Sequence, residues 1–203
     1  MLIKCLTLGN LETNCYIVAD EATLDAVVID PSDESNVILD YIEDMHLKVQ
    51  AIFLTHGHYD HTGAAETLAE ETGANIWMSE KDEATVNDSA YKYCPQRPLK
   101  HFQDGTIIHA GSLLFGVLET PGHSKGSVTL MCDRVLFTGD TLFKMRCGRT
   151  DLEGGSMEEL SRSLLRLYRL EGDFEVYPGH MDSTTLNFER RFNPYLRAAA
   201  GVY

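Results

Sequence analysis

The stretch LTHGHYDHTGA, residues 54–64, places three histidines and one aspartate within six positions. It ends an apolar run and precedes an alanine-rich segment, which puts it between a predicted strand and a predicted helix. Histidine is a middling core residue, and an aspartate among histidines would ordinarily stay on a solvated surface. The pattern therefore indicates a metal site, with chance clustering as the alternative.

The composition limits the kind of protein that carries this stretch. The 203 residues suit one domain, 1–203, and 43% hydrophobic with 24% charged residues is typical of a globular protein. A net charge of -14 would repel nucleic acid and anionic membranes, so we expect a small-molecule substrate. No apolar segment resembles a signal peptide or a membrane span, which predicts a cytoplasmic protein.

The cysteines indicate a reducing environment. They lack CxxC spacing, and an odd number cannot be fully paired within the chain. The five are Cys5, Cys15, Cys94, Cys132 and Cys147. Cys147 lies near other candidate residues and is open to two interpretations, a ligand or nucleophile and a small thiol without a role. No histidine is recognisably paired with it, which favours the second interpretation.

Apolar runs bounded by turn residues predict most of the first half. Strands are expected at 2–8, 14–19, 25–30, 49–54 and 75–78. The segment PSDESNVILDYIEDMHL predicts a helix capped by Ser32, with Asp33 and Glu34 in its first turn. A second helix is expected at 63–72, ended by Gly73, and a third near 80–88.

The second half repeats this succession of elements. Strands are expected at 106–109, 112–119, 126–132, 134–138 and 174–178, followed by a helical tail. A helix begins at Ser156, which forms a capping box with Glu159. Strands followed by a helix, twice over and without a flexible linker, predict two sheets packed face to face with helices outside. This is a four-layer αββα sandwich of the α/β class.

Three further glycine-containing loops place a residue of ligand type directly after or between predicted strands. They are TPGHSKGS with His123, LFTGDTLF with Asp140 and VYPGHMDSTT with His180. Each alone reflects ordinary turn chemistry, but loops at one edge of a scaffold are where functional residues collect. His46, His101 and His109 lie outside these loops, and we assign them no role.

Together the loops supply seven candidate metal ligands: His56, His58, Asp60, His61, His123, Asp140 and His180. Mixed imidazole and carboxylate ligands suit borderline divalent metals such as zinc, and seven are too many for one tetrahedral ion. We therefore expect two ions to share them. His61 comes just before a predicted helix, whose positive end should keep its ring neutral.

These residues resemble a known family. THGHYDH is similar to the HxHxDH signature of the metallo-β-lactamase superfamily, and the other three loops have the context of its remaining metal-binding loops. The resemblance covers nearly the whole chain and is strongest to the glyoxalase II-like branch, the hydroxyacylglutathione hydrolases and their single-domain relatives. The stretches that carry it are LGNLETNCYIV, GDTLF, GRTDLEGG and TTLNFERRFNPYL.

The resemblance implies a ligand scheme. His56, His58 and His123 would bind one metal ion, and Asp60, His61 and His180 would bind the other. Asp140 would bridge both ions. The ions would be divalent, zinc first, with iron or manganese as alternatives.

The resemblance also implies a reaction, hydrolysis of a thioester by a metal-bridging hydroxide with Asp60 beside it as a catalytic residue. Two alternatives share the fold. One is a mononuclear iron enzyme like the persulfide dioxygenases, which have a stretch similar to CGRTD, residues 147–151. The other is a lactonase.

The expected substrate site departs from glyoxalase II. Only a short tail follows His180, where that branch has a helical domain that helps to hold glutathione. Arg149 is a candidate substrate-binding residue, and an ion pair with Asp151 or Asp140 is the alternative for it. Residues 89–103, with Tyr91, Tyr93 and Arg97, are a candidate lid, and an ordinary surface loop is the alternative for them. Gly57 replaces the middle histidine of the branch's THHHxDH run.

Overall fold

The structure is a computed structural model, and it describes residues 1–83 and 92–202. Six α-helices and fourteen strands lie in these ranges. The strands are β1 Leu2–Leu8, β2 Thr13–Ala19, β3 Asp25–Ile29, β4 Lys48–Phe53, β5 Asn75–Met78, β6 Lys100–His101, β7 Ile107–Ala110, β8 Leu113–Glu119, β9 Val128–Cys132, β10 Val135–Gly139, β11 Leu142–Phe143, β12 Arg146–Cys147, β13 Glu175–Pro178 and β14 Thr184–Thr185. The helices are α1 Ser35–Asp44, α2 Tyr59–Thr62, α3 Ala65–Thr72, α4 Met157–Tyr168, α5 Leu186–Phe192 and α6 Pro194–Ala199, and Glu80–Asp82 forms a 3₁₀ turn.

Two six-stranded sheets carry the fold. The first has the order β1-β2-β3-β4-β5-β6, antiparallel up to β3 and parallel from β3 onward. The second has the order β14-β13-β10-β9-β8-β7, in which β10 and β13 are parallel and the other pairs antiparallel. Strands β11 and β12 pair separately.

Successive side chains along the strands of the first sheet point to opposite faces, and this alternation creates the layers. In β2, Ile17 packs against the helical side with α1 and α3, while Tyr16 and Val18 pack against the second sheet. Because both faces are covered, the whole of β2 is buried, and after Thr13 and Asn14 its remaining residues form an uninterrupted apolar run, CYIVA. A third cluster packs the second sheet on α4, with Leu136 against Leu160 and Leu164. The result is the predicted αββα sandwich.

Most predicted elements are confirmed, including Gly73, which ends α3 in the left-handed conformation that glycine adopts readily. The prediction for Ser32 was wrong. Helix α1 begins after Glu34, which has φ 49° and no side-chain cap, and Ser32 is buried. Ser156 caps α4 by accepting a hydrogen bond from Glu159 N, but its own N–H donates to the Gly122 carbonyl, so the reciprocal half of the capping box is not formed.

The predicted helix near 80–88 is replaced at its start by the 3₁₀ turn, and residues 84–88 lie outside the described residues. Within the described ranges, none of the helices has the length and apolar character needed to cross a membrane.

Candidate metal centre

The structure brings together all seven side chains that the sequence analysis singled out. His56 and His58 follow β4, and Asp60 and His61 lie in α2, the short helix that comes next. His123 lies in the β8–β9 connection, Asp140 directly follows β10, and His180 follows β13. The parallel pairing of β10 with β13 places the last two residues side by side, because both strands end at the same edge of the sheet.

The first set of side chains, His56, His58 and His123, is buried. His58 Nδ1 lies 2.9 Å from His123 Nε2. The His56 ring centroid is 4.7 Å from that of His58 and 4.9 Å from that of His123. Three imidazoles therefore converge on one point.

The second set, Asp60, His61 and His180, lies nearer the surface. The Oδ2 atom of Asp60 is 3.3 Å from His180 Nε2 and 3.6 Å from His61 Nε2. His61 is fully buried, while the side chain of His180 is 21% exposed. The side chains of His180 and Asp60 are therefore accessible to solvent, whereas that of His61 is not.

Asp140 lies between the two sets. Its Oδ1 atom is 3.4 Å from His61 Nε2, and its Oδ2 atom is 3.4 Å from His123 Nε2 and 3.7 Å from His180 Nε2. One carboxylate thus faces both sets, with one oxygen turned toward each of the two buried histidines.

Hydrogen bonds behind two of the rings decide which nitrogen carries the proton. His123 Nδ1 is 2.9 Å from the Arg149 carbonyl oxygen, and His180 Nδ1 is 3.1 Å from the Leu11 carbonyl oxygen. A carbonyl can only accept, so each Nδ1 carries the proton and donates it. The Nε2 lone pairs of both rings are left facing the centre.

Asp30 and Thr55 orient two more rings, those of His61 and His56. Asp30 Oδ2 accepts from His61 Nδ1 at 2.9 Å and from the Thr55 hydroxyl at 2.7 Å. Because the Thr55 hydroxyl hydrogen is given to Asp30, its oxygen accepts from His56 Nδ1, 3.1 Å away. In their neutral forms, His56 and His61 therefore also present an Nε2 lone pair.

The sequence pattern did not predict a role for Asp30. It directly follows β3, just as Asp140 directly follows β10, and the acidic residue in VVIDPS was a signal of the same kind. It was placed at the end of a predicted strand and given no role. The carboxylate is 2% exposed and also accepts from Thr55 N at 2.7 Å, so it is a built part of the centre.

The geometry fits divalent ions. Two ligands at about 2.0–2.1 Å from one tetrahedral ion are about 3.3 Å apart, and the contacts of Asp60 and Asp140 with the histidines are close to this separation. Among the described residues, His56 Nε2, His61 Nε2 and Asp140 Oδ1 are buried without a hydrogen bond. Buried polar atoms that lack a partner indicate a ligand, and lone pairs aimed at a common point indicate a cation.

Burial keeps His56 and His58 uncharged. Desolvation, reinforced by the neighbouring histidines, lowers the pKa of His56 well below its ordinary value and that of His58 to about 4. Both rings are neutral at physiological pH and available as ligands. Burial of Asp60 is outweighed by its hydrogen bond to His180 and by His61, which lower its pKa to about 2 and keep it ionised.

The prediction that His61 stays neutral was wrong for the isolated chain. Burial lowers its pKa, but the carboxylates of Asp140, Asp30 and Asp60 outweigh burial and raise it to about 9. The helix expected to repel a proton is the four-residue α2, which contains His61. Three nearby negative charges dominate over so short a dipole.

A cavity of about 560 Å³ opens on the centre, within the size range of small-molecule sites. Apolar, basic and acidic side chains surround the candidate ligands in its lining: Leu11, His58, Tyr59, Asp60, Lys92, His123, Asp140, Phe143, Arg146, Cys147, Arg149, Leu152, Glu153, His180 and Met181. Cys147 is half-buried, and desolvation raises its pKa to about 11, so it is a thiol rather than a nucleophilic thiolate.

Arg149 reaches this cavity, but its guanidinium is engaged. It binds Asp151 through two hydrogen bonds, Nε to Oδ1 at 2.7 Å and an Nη atom to Oδ2 at 2.8 Å. Of the two interpretations from sequence, the ion pair is the one that the structure forms. The Arg149 carbonyl supports His123, so the residue also serves the centre through its backbone.

The candidate lid is placed differently from the expectation. Tyr93 is buried and donates to Glu66, and Arg97 Nε donates to Glu66 at 2.7 Å. Neither lines the cavity, whereas Lys92 does. Tyr91 lies outside the described residues. Tyr93 and Arg97 are therefore anchored on α3, while Lys92 faces the cavity.

The fold and this site define a class, αββα sandwich proteins whose loops gather histidines and aspartates suited to divalent metals. The chain belongs to the metallo-beta-lactamase superfamily, whose family model matches residues 8–180.

Similar proteins cover the chain almost completely. Hydroxyacylglutathione hydrolase GloC of Haemophilus influenzae is 31% identical in an alignment 211 residues long that covers 98% of this chain and 99% of that protein. The crystal structure of ETHE1 from Myxococcus xanthus is 32% identical, with a TM-score of 0.85 over 98% of this chain and 85% of that one. The crystal structure of TTHA1623 in a di-iron-bound form is 34% identical, with a TM-score of 0.83 over 95% of this chain and 99% of that one.

Proposed function

We propose that this protein is a hydrolase of acyl thioesters that binds two divalent metal ions. The observation that carries the proposal is the position of Asp140, whose two oxygens face His61 on one side and His123 on the other. A carboxylate between two converging sets of lone pairs suits a pair of ions better than one. The similarity to a di-iron-bound structure supports the number, and the similarity to a hydroxyacylglutathione hydrolase supports the substrate class.

When bound, divalent ions supply hydroxide at neutral pH and polarise a substrate carbonyl. His56, His58 and His123 would hold one ion, Asp60, His61 and His180 the other, and Asp140 both. The ionised Asp60 carboxylate faces the cavity and is a weak base, so its part is to orient the attacking water by accepting a hydrogen bond. No nucleophilic side chain is required.

The cavity walls suit an acyl thioester with a charged carrier. Apolar side chains such as Leu11, Phe143 and Leu152 can cover an acyl chain and exclude water from the reacting carbonyl. Arg146 lies on the same walls and can bind a carboxylate of the thiol carrier, whereas Lys92 is paired with Glu153 at 3.0 Å. A thiolate leaves more readily than an alkoxide, so this site needs no dedicated acid beside the leaving group.

Metal analysis combined with a substrate panel tests the proposal. Purified protein, saturated with zinc, is analysed for metal and assayed with S-lactoylglutathione, a lactone, a β-lactam and glutathione persulfide. We expect two zinc ions per chain and hydrolysis of the thioester ahead of the other substrates. One iron per chain in protein as isolated, together with sulfite formation from the persulfide, would replace this proposal with a mononuclear oxygenase.

A further inference from the structure

The carboxylate of Asp82 joins two of the loops that form the centre. Asp82 lies in the 3₁₀ turn Glu80–Asp82, a segment that contributes none of the seven candidate ligands. Its Oδ2 atom accepts from Gly57 N at 3.1 Å and from the Ser124 hydroxyl at 2.5 Å, and its Oδ1 atom accepts from Gly126 N at 2.7 Å. One carboxylate therefore binds the β4–α2 loop and the β8–β9 connection at once.

These contacts are adjacent to the first histidine set. Gly57 lies between His56 and His58, and Ser124 directly follows His123. The Ser124 hydroxyl also contacts the Ser127 hydroxyl at 2.7 Å, which closes the turn on the far side. The distance between the two loops is thus determined at a point one residue away from the ligands.

The glycines in both loops are explained by the same close approach. A Cβ atom on Gly57 would lie 2.8 Å from the Asp82 carbonyl oxygen, and one on Gly126 would lie 2.7 Å from Asp82 Cγ. Side chains at either position would push the turn away from the loops. Asp82 thereby accounts for the glycine at residue 57, where the glyoxalase II-like sequences carry a histidine.

We propose that Asp82 is a positioning residue for the first histidine set. It holds the backbone around Gly57 against the turn after His123, and so sets the 2.9 Å separation of His58 Nδ1 and His123 Nε2. Asp82 does not line the large cavity, so it acts through the loops and not on a substrate. Hydrogen-bonded groups behind metal ligands commonly control affinity in this way. The inference rests on the proposed metal centre.

The test measures zinc affinity with a chromophoric chelator as competitor, in a His180→Gln background that weakens the second set. In that background Asp82→Asn should bind zinc about 10- to 100-fold more weakly. Ser124→Ala removes one of the three hydrogen bonds and should give a smaller loss. Cobalt(II) provides a second readout, since displaced histidines change the visible absorption of the saturated protein.

Asp104→Asn is the matched control. Asp104 also ties a backbone N–H, that of Glu119 at 2.8 Å, and binds Arg166 on α4, but it contacts neither loop of the centre. It should lower the thermal midpoint without changing zinc affinity or the cobalt spectrum. Equal weakening by Asp104→Asn would overturn the inference, because the effect would then be general destabilisation.

The remaining outcomes are also decisive. A folded Asp82→Asn protein with unchanged zinc affinity removes the role of Asp82 and leaves the proposed function intact. If that variant does not fold, Ser124→Ala decides, and unchanged affinity there overturns the inference. Wild-type protein that binds no zinc, cobalt or iron overturns both the proposed function and this inference.

Discussion

His61 Nδ1 and Asp30 Oδ2 are 2.9 Å apart in the interior of the protein, and neither side chain is more than 2% exposed. Asp30 follows β3 and His61 lies in α2, so the contact joins two neighbouring loops at the edge of the first sheet. The carboxylate accepts a hydrogen bond from the Nδ1–H group and so orients the ring, with Nε2 facing Asp60 and Asp140. The orientation of His61 for metal binding therefore depends on Asp30, which is not one of the seven candidate ligands.

Replacing Asp30 by asparagine should weaken the binding of the second zinc ion about 10- to 100-fold. The side-chain amide cannot accept hydrogen bonds from all three groups that now donate to Asp30. The measurement is zinc affinity by chelator competition, together with urea unfolding. Asp25→Asn is the control, since Asp25 is the first residue of the same strand and accepts from Gln50 and Ser112 far from the centre. If both variants bind zinc like the wild type, Asp30 has only a structural role.

Asp140→Asn should lower the occupancy of both ions. Its two oxygens face His61 and His123 at 3.4 Å each, so an amide removes one negative charge that both sets share. His180→Gln, by contrast, should spare the first ion. Metal content after dialysis against buffered free zinc distinguishes these results. An Asp140→Asn protein that retains one ion at full occupancy would show that the carboxylate does not bridge.

The seven candidate ligands could be found from sequence because each is a polar residue of ligand type at the end of a predicted strand. The residues that support these ligands through hydrogen bonds could not be found in the same way. Asp82 lies in a turn that the pattern assigned to a helix, and its role depends on contacts with Gly57 and Gly126. The partner in the second contact is 44 residues away in sequence, and only the packed sheets bring the two together.

The protonation state of His61 could not be predicted from sequence either, because its pKa depends on carboxylates from three different segments. Local sequence supplied only the nearby helix, whose effect was overestimated. The anchoring of Tyr93 and Arg97 on Glu66 was missed for the same reason, since Glu66 reads as a solvated position on an amphipathic helix.

Glu66 should give the protein a measurable pH dependence of stability. It accepts hydrogen bonds from Tyr93, from Gln96 N at 2.9 Å and from Arg97 at 2.7 Å. Burial opposes its ionisation, but these bonds outweigh burial and lower its pKa below the ordinary value of 4.5. Stability from this group is therefore fully present above pH 4.5 and is lost as pH falls through the lowered folded-state pKa.

The check is urea unfolding of wild type and Glu66→Gln between pH 3.5 and pH 7. The difference in free energy of unfolding should be about 1–3 kcal/mol at neutral pH and shrink in acid. Hydrogen exchange of residues 92–97 should become faster in the variant. A difference that stays constant over the whole pH range would mean that the carboxylate charge contributes nothing to the anchoring.

Arg146 and Arg149 should differ in their effect on substrate binding, although both are exposed residues on the wall of the same cavity. The charge of Arg149 is already paired with Asp151, whereas Arg146 makes no ion pair within the described part of the chain. A free guanidinium is available for a carboxylate of the thiol carrier.

Arg146→Ala should raise KM for S-lactoylglutathione about two- to fivefold, as expected for an exposed charge pair, and leave kcat nearly unchanged. Arg149→Ala should change KM much less, and neither variant should change it for a thioester of an uncharged thiol. Steady-state kinetics on both thioesters decide the matter, and an equal rise in KM for the uncharged carrier would show that Arg146 acts by packing and not by charge.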